Sequence, residues 1–208
     1  MTAAPNGAQA DHDERLARAA AALAEAEGVA GARAGAPPPE DPQATTPDAD
    51  PEAVARAIVL RQLSMVPRSR AQLETKLRQR GCADDVAKRV LDRMTEVGLI
   101  DDEAYAEMLV RSRQASKGLA RRALAHELRK TGIDPGIADE ALGQVGAADE
   151  RIAAEALVAK KMRTMHGLAP DVQARRLAGM LARKGYSGEL AWPVIRDAID
   201  AAAEHQRD

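Results

Sequence analysis

Between Arg111 and Lys130 seven basic side chains (Arg111, Arg113, Lys117, Arg121, Arg122, Arg129 and Lys130) stand against one carboxylate, Glu127, in a chain whose formal charge is -2. A local excess of this size does one kind of chemistry well. It attracts phosphate or another acidic surface, by Coulomb steering and counterion release. The same pattern also suits a solvated helical face, since exposed Lys and Arg are what polar surfaces carry. Gly118 interrupts the run between two expected helices, so both basic sets can converge on one side of the junction.

Two outer groups repeat the theme: Arg68, Arg70, Lys76, Arg78 and Arg80 in one place, and Arg175, Arg176, Arg183 and Lys184 in another. Each is a secondary interface candidate, with solvated surface as the plainer reading. Catalysis finds little support. His12, His126, His166 and His205 are scattered, no phosphate-binding glycine loop is present, and no Cys/His pair suggests a nucleophile. Asp101, Asp102 and Glu103 are acidic enough to attract a cation, but three consecutive residues at a helix start cannot all face one ion, and carboxylates there complement the helix dipole. No metal and no cofactor are expected. Cys82, the single cysteine, reads as a small apolar residue at a helix turn, and it leaves the fold without an internal disulfide. Of the three aromatics, Tyr105 and Tyr186 read as packed residues, whereas Trp192 stands where other copies of the pattern below carry Lys88 and Asp139. It either covers the C-terminal helix or marks a partner contact.

The elements that position these groups emerge from self-comparison. Gly81, Gly132 and Gly185 lie 51 and 53 residues apart, with Leu73, Leu124 and Leu177 eight before them and Leu77, Leu128 and Leu181 four before. After each glycine come Cys82, Ile133 and Tyr186; then Val86, Ile137 and Leu190; then Val90, Ala141 and Val194; then Leu91, Leu142 and Ile195. Each set forms a helical stripe, and the glycine between them ends one helix in a left-handed cap. A further helix precedes each pair, marked by Val59, Leu63 and Val66, by Tyr105, Met108 and Leu109, and by Val158, Met162 and Met165. Ser69 with Gln72 makes a capping box, and Asp84 and Asp134-Pro135 open the helices that follow their glycines. Val97-Gly98 and Val145-Gly146 each precede an aspartate, Asp101 and Asp149, that reads as a new N-cap. Pro67, Pro135 and Pro170 fall at boundaries. Pro193 falls inside the last helix and predicts a break or kink there.

Alanine supplies 46 residues and only three residues are aromatic, a composition that favours helix over strand. The predicted fold is therefore all-α: nine helices in three tandem three-helix repeats at 52–100, 101–147 and 148–203, stacked into an elongated, curved body, with a short tail at 204–208. Residues 1–51 differ. They hold nine acidic and three basic side chains and seven of the eleven prolines, and their large apolar residues are Met1, Leu16, Leu23 and Val29. That lead cannot offset its ordering entropy and is expected to be disordered, with a partner-binding helix near Asp13 to Glu27 as the alternative. No run approaches the roughly 20 apolar residues of a membrane span, and the Met1 end lacks the pattern of a secretory signal, so a cytoplasmic protein with no membrane partner is expected.

The segment Gly98-Leu99-Ile100-Asp101-Asp102-Glu103-Ala104-Tyr105-Ala106, continuing through Leu109-Val110-Arg111-Ser112-Arg113 and Lys117-Gly118 to Leu128-Arg129-Lys130-Thr131-Gly132-Ile133, resembles the RecX family. The resemblance extends over about 52–200, including Ser69-Arg70-Ala71-Gln72-Leu73 and Leu181-Ala182-Arg183-Lys184-Gly185-Tyr186-Ser187, and does not reach the lead. It implies tandem three-helix repeats, and a partner, the RecA recombinase filament on DNA. It also implies an activity: modulating, most often inhibiting, filament growth, ATP hydrolysis and strand exchange, without enzymatic action and as a monomer. A stand-alone helix-turn-helix-like DNA-binding module is the competing reading of the basic run, weakened by the net charge and by the lack of an aromatic platform for single strands. An adaptor scaffold for another protein is the third.

Overall fold

The computed structural model describes residues 50–204. The predicted disorder of the lead concerns residues 1–49, and most of the predicted tail is residues 205–208; both lie outside the described residues. Among the described residues there are nine helices and no strand: α1 (Pro51–Met65), α2 (Arg70–Gln79), α3 (Asp84–Glu96), α4 (Asp102–Lys117), α5 (Arg121–Lys130), α6 (Pro135–Gly143), α7 (Ala147–Met162), α8 (Pro170–Arg183) and α9 (Gly188–Glu204). Asp50 and Pro51, counted with the lead, start α1 as its N-cap and first residue.

The three anchor glycines act alike. Gly81, Gly132 and Gly185 have φ of 76°, 76° and 91°. The next residue's amide reaches back to the leucine four before the glycine: Cys82 to Leu77 at 3.1 Å, Ile133 to Leu128 at 3.2 Å, Tyr186 to Leu181 at 3.1 Å. Each glycine's own amide bonds Arg78, Arg129 or Ala182. This six-to-one and five-to-two pair is the Schellman arrangement, which satisfies carbonyls that the helix end would leave orphaned. The leucines between these bonds carry the core. Leu73, Leu77, Leu124, Leu128, Leu177 and Leu181 are all buried, as are Leu91, Leu142 and Ile195 in the helices that follow. Each fully buried side chain of this size contributes about 1.5–3 kcal/mol.

The chain packs as two compact bodies, one ending at Tyr105 and the other beginning at Ala106. In the first, α1, α2 and α3 enclose a core of Val59, Leu63, Leu73, Leu77, Leu91 and Met94, with Leu99 and Ile100 closing it. In the second, α5 packs on α6, and α7, α8 and α9 pack on one another around Ala154, Val158, Met165, Leu177, Leu181 and Ile195.

Most expected caps are present and some move by a residue or more. Ser69 and Gln72 form the capping box, and Asp134 accepts the Gly136 amide at 2.8 Å ahead of Pro135. Asp101 caps α4 by accepting the Ala104 amide at 2.8 Å. Asp84, however, is the first residue of α3, whose N-cap is Ala83. Asp149 likewise lies inside α7, capped at Gly146, and complements the helix dipole from the first turn. Val66 is another correction: it is the C-cap of α1 and largely exposed, because the helix ends before the apolar stripe reaches it. Pro193 does not break α9, which runs continuously from Gly188 to Glu204. Proline there lies early in the helix and removes a single amide donor.

Tyr105 and Tyr186 are buried, and Trp192 keeps half its surface in solvent. Cys82 is half-buried, and burial, followed by the Asp85 and Asp84 carboxylates, pushes its thiol pKa up, away from reactivity.

Candidate functional site

The basic run straddles the α4–α5 junction, and the third repeat fixes that junction. Gly118 takes φ of 58°, and a side chain there would meet Leu157 of α7 at 3.0 Å. The Ala120 amide donates to the Lys184 carbonyl at 2.9 Å, the Tyr186 hydroxyl donates to the Gly118 carbonyl at 3.2 Å, and the Lys184 ammonium donates to the Lys117 carbonyl. Gly185 packs so tightly that a Cβ would lie 2.6 Å from the Ala123 nitrogen. The start of α5 has no side-chain cap of its own; instead Glu150, on α7, accepts the Arg121 amide at 2.7 Å. Burial, followed by the Glu150 carboxylate, raises the Tyr186 phenol above the ordinary tyrosine value.

The first repeat uses the same device. Asp102, at the start of α4, accepts the Arg70 amide at 2.8 Å, which is the first amide of α2. Burial raises the Asp102 carboxyl, a shift opposed by that amide and the Arg70 charge. Asp102 and Glu150 are 48 residues apart, each four residues after the Val-Gly pair that ends a repeat. The next repeat's first helix thus caps the second helix of the one before. Sequence reading missed this exchange, although the 48-residue offset was visible.

Within the basic run the seven candidates separate. Arg111 pairs with Glu107 at 3.2 Å along α4. Arg113 is half-buried and lies 3.7 Å from Glu127, an ion pair too long for a hydrogen bond. Arg121 donates to the Leu142 carbonyl at 2.8 Å, bracing α5 on the end of α6. Lys117, Arg122, Arg129 and Lys130 are exposed and have no ion pair among the described residues. On α5, Leu124 and Leu128 face inward, while Arg122, His126, Arg129 and Lys130, spaced four, three and one apart, share the exposed face. Glu127, the only carboxylate of that helix, is half-buried and held by Arg113.

The outer candidates are mostly committed elsewhere. Arg70 bonds Asp92 at 2.5 Å and Thr95 at 3.3 Å, Arg78 pairs with Glu74 and Asp84, and Arg80 is also engaged. Arg68 and Lys76 are half-buried. In the third repeat Arg175 lies 3.5 Å from Asp171, and Lys184 belongs to the α4–α5 junction. Arg176 and Arg183 remain exposed, without an ion pair among the described residues. A further exposed trio, Lys160, Lys161 and Arg163, escaped sequence reading; its place at the C-terminal end of α7 complements the helix dipole. Among the described residues no group of His, Cys, Asp or Glu is arranged to hold a metal ion, and no helix is long and apolar enough to cross a membrane.

Three family models match, and each falls on one three-helix unit: RecX first three-helix domain on 55–94, second on 101–142 and third on 149–195. The chain belongs to the RecX family. It is 48% identical over 158 residues to the regulatory protein RecX of Streptomyces coelicolor, covering 76% of this chain and 84% of that one. It is 47% identical over 173 residues to the regulatory protein RecX of Mycolicibacterium smegmatis, covering 81% and 90%. The crystal structure of RecX from Lactobacillus salivarius has the same fold, with a TM-score of 0.65, 23% identity, and coverage of 71% of this chain and 96% of that one. A crystal structure of a regulatory protein RecX gives a TM-score of 0.64 at 25% identity, covering 71% and 72%.

Proposed function

We propose that this protein is a non-enzymatic, monomeric cytoplasmic regulator of the RecA recombinase, that it binds the RecA filament on DNA, and that it inhibits filament growth, ATP hydrolysis and strand exchange. Its working units are the repeats at 52–100, 101–147 and 148–203. Family membership supports the regulatory role, and one observation supports the mode of contact: Arg122, Arg129 and Lys130 stand exposed on one face of α5, without an ion pair among the described residues.

Three exposed cations suit a phosphate backbone better than the core of a protein interface, which is depleted of charge and anchored by aromatic or apolar side chains. The α5 face therefore contacts the DNA of the filament. Arg121 and Arg113 support that face, one bracing α5 on α6 and the other pairing with Glu127. Substoichiometric protein should slow ATP hydrolysis by the cognate RecA on single-stranded DNA, and the Arg122→Gln, Arg129→Gln, Lys130→Gln variant should lose most of that inhibition. Salt-sensitive DNA binding with no effect on RecA would move the assignment to a stand-alone DNA-binding module.

A further inference from the structure

Among the described residues five large apolar side chains are exposed, and three of them, Leu60, Met65 and Val66, fall within seven positions at the C-terminal end of α1. The helix is apolar on two sides. Ala55, Ile58, Val59 and Leu63 face the core of the first body. The opposite side, which a surface helix ordinarily fills with charged groups, exposes Ala53, Ala57, Leu60, Arg61, Ser64 and Met65, with one charge among them. Around the helix the small Ala57 and Ser64 lie between Leu60 and Met65, so the face is shallow with an apolar side chain at either edge.

The charges beside this face are all of one sign. From Ala53 to Leu73 the chain carries Arg56, Arg61, Arg68 and Arg70 and no carboxylate. Arg70 is held by Asp92, and Arg56 is also engaged. Arg61 is exposed, and neither it nor Arg68 has an ion pair among the described residues. Two residues beyond Val66, the Arg68 Nε is sheltered from solvent without an acceptor among the described residues. A docked carboxylate or carbonyl would satisfy that donor. Apolar side chains with arginine at their edge are the composition of a protein interface, whereas a phosphate backbone offers nothing to Leu60 or Met65. All of these residues belong to the compact body that ends at Tyr105.

We propose that the end of α1, formed by Leu60, Met65 and Val66 with Arg61 and Arg68, is a protein-docking surface, and that its occupant is a segment of the RecA subunit presenting an apolar side chain beside carboxylates. The inference rests on the reading that the RecA filament is the partner. It gives the chain two contacts of different chemistry: α5 for phosphate and the end of α1 for protein.

The test measures binding of the fluorescently labelled full chain to cognate RecA filaments on single-stranded DNA, and separately to a bare thymidine oligonucleotide. Leu60→Gln with Met65→Gln should weaken filament binding about tenfold or more, with oligonucleotide binding and melting point unchanged. Arg61→Glu should weaken filament binding about threefold or more at low salt, a loss that shrinks near 0.5 M salt. Filament binding by Leu60→Gln with Met65→Gln equal to that of the natural chain overturns the proposal and leaves the RecA reading standing. Equal weakening on filament and bare oligonucleotide overturns it by making the face a nucleic-acid contact. A lowered melting point overturns it by showing the face packed within the natural chain. A natural chain that sediments as a dimer, and a variant that does not, gives the face to a second copy and overturns it too. Unchanged filament binding by Arg61→Glu overturns the acidic character of the occupant. A natural chain that binds filament no better than bare oligonucleotide removes the RecA reading and this inference together.

Discussion

Helices α2 and α5 occupy the same place in successive repeats, begin with an arginine whose amide is capped from the next repeat, and end in the same glycine motif. They use charge differently. Arg70 of α2 crosses to Asp92 and Thr95, and Arg78 is held between Glu74 and Asp84. Arg121 of α5 crosses in the same way, to the Leu142 carbonyl, but Arg122, Arg129 and Lys130 find no carboxylate among the described residues. On α2, Arg70 and Arg78 are struts; on α5, Arg121 is the strut, and the proposed DNA contact rests on the three cations left exposed. Basic composition alone does not separate strut from exposed cation; the supply of nearby carboxylates does.

The comparison breaks most visibly at the glycines. Gly185→Ala must relieve both a left-handed backbone and a Cβ 2.6 Å from the Ala123 backbone, and it should cost about 3 kcal/mol or more in urea unfolding. At Gly81 a Cβ meets nothing within 4 Å, so Gly81→Ala should cost only the backbone penalty of about 1–2 kcal/mol. Equal losses would mean that the close approach of the third repeat to α5 is not real.

The charges come next. Arg122→Gln with Arg129→Gln and Lys130→Gln should weaken oligonucleotide binding about tenfold or more and flatten the log–log salt slope by about 2, with an unchanged melting point. Arg70→Gln should do the reverse, leaving binding alone and lowering stability by about 1 kcal/mol. Ser69→Ala, which removes the α2 cap, should also cost about 1 kcal/mol, read by thermal melting.

The smallest effect is a titration. The Tyr186 phenol is raised in the fold, so the folded state holds its proton longer than the unfolded chain does, and stability falls as pH rises from the ordinary value of about 10 through the raised one. Tyrosinate absorbance should show a late-titrating component that Tyr186→Phe removes, and that variant should lose the share of the alkaline destabilisation that this group contributes.

Much of the fold was legible because it rests on short-range rules. The leucine stripes, the three Schellman glycines, the Ser69 box and the Asp134-Pro135 start all follow from neighbours within six residues. What stayed hidden was long-range pairing. Asp102 with Arg70, Glu150 with Arg121, and the Lys184 and Tyr186 bonds to the α4–α5 junction span 29 to 68 residues, and only the fold says which side chains meet. For that reason sequence reading placed Arg121 beside Arg122 as equals, whereas the structure makes Arg121 a brace. Asp84 and Asp149 were misplaced on the helix because an aspartate in the first turn and one at the cap leave similar traces in sequence.

In the proposed function the exposed face of α5 carries the regulation. Its most direct test is ATP hydrolysis by the cognate RecA on single-stranded DNA, titrated with the natural chain and with the Arg122→Gln, Arg129→Gln, Lys130→Gln variant after both are shown to melt at the same temperature. The natural chain should inhibit well below one protein per RecA subunit, and the variant should inhibit little. Equal inhibition by the two would contradict it.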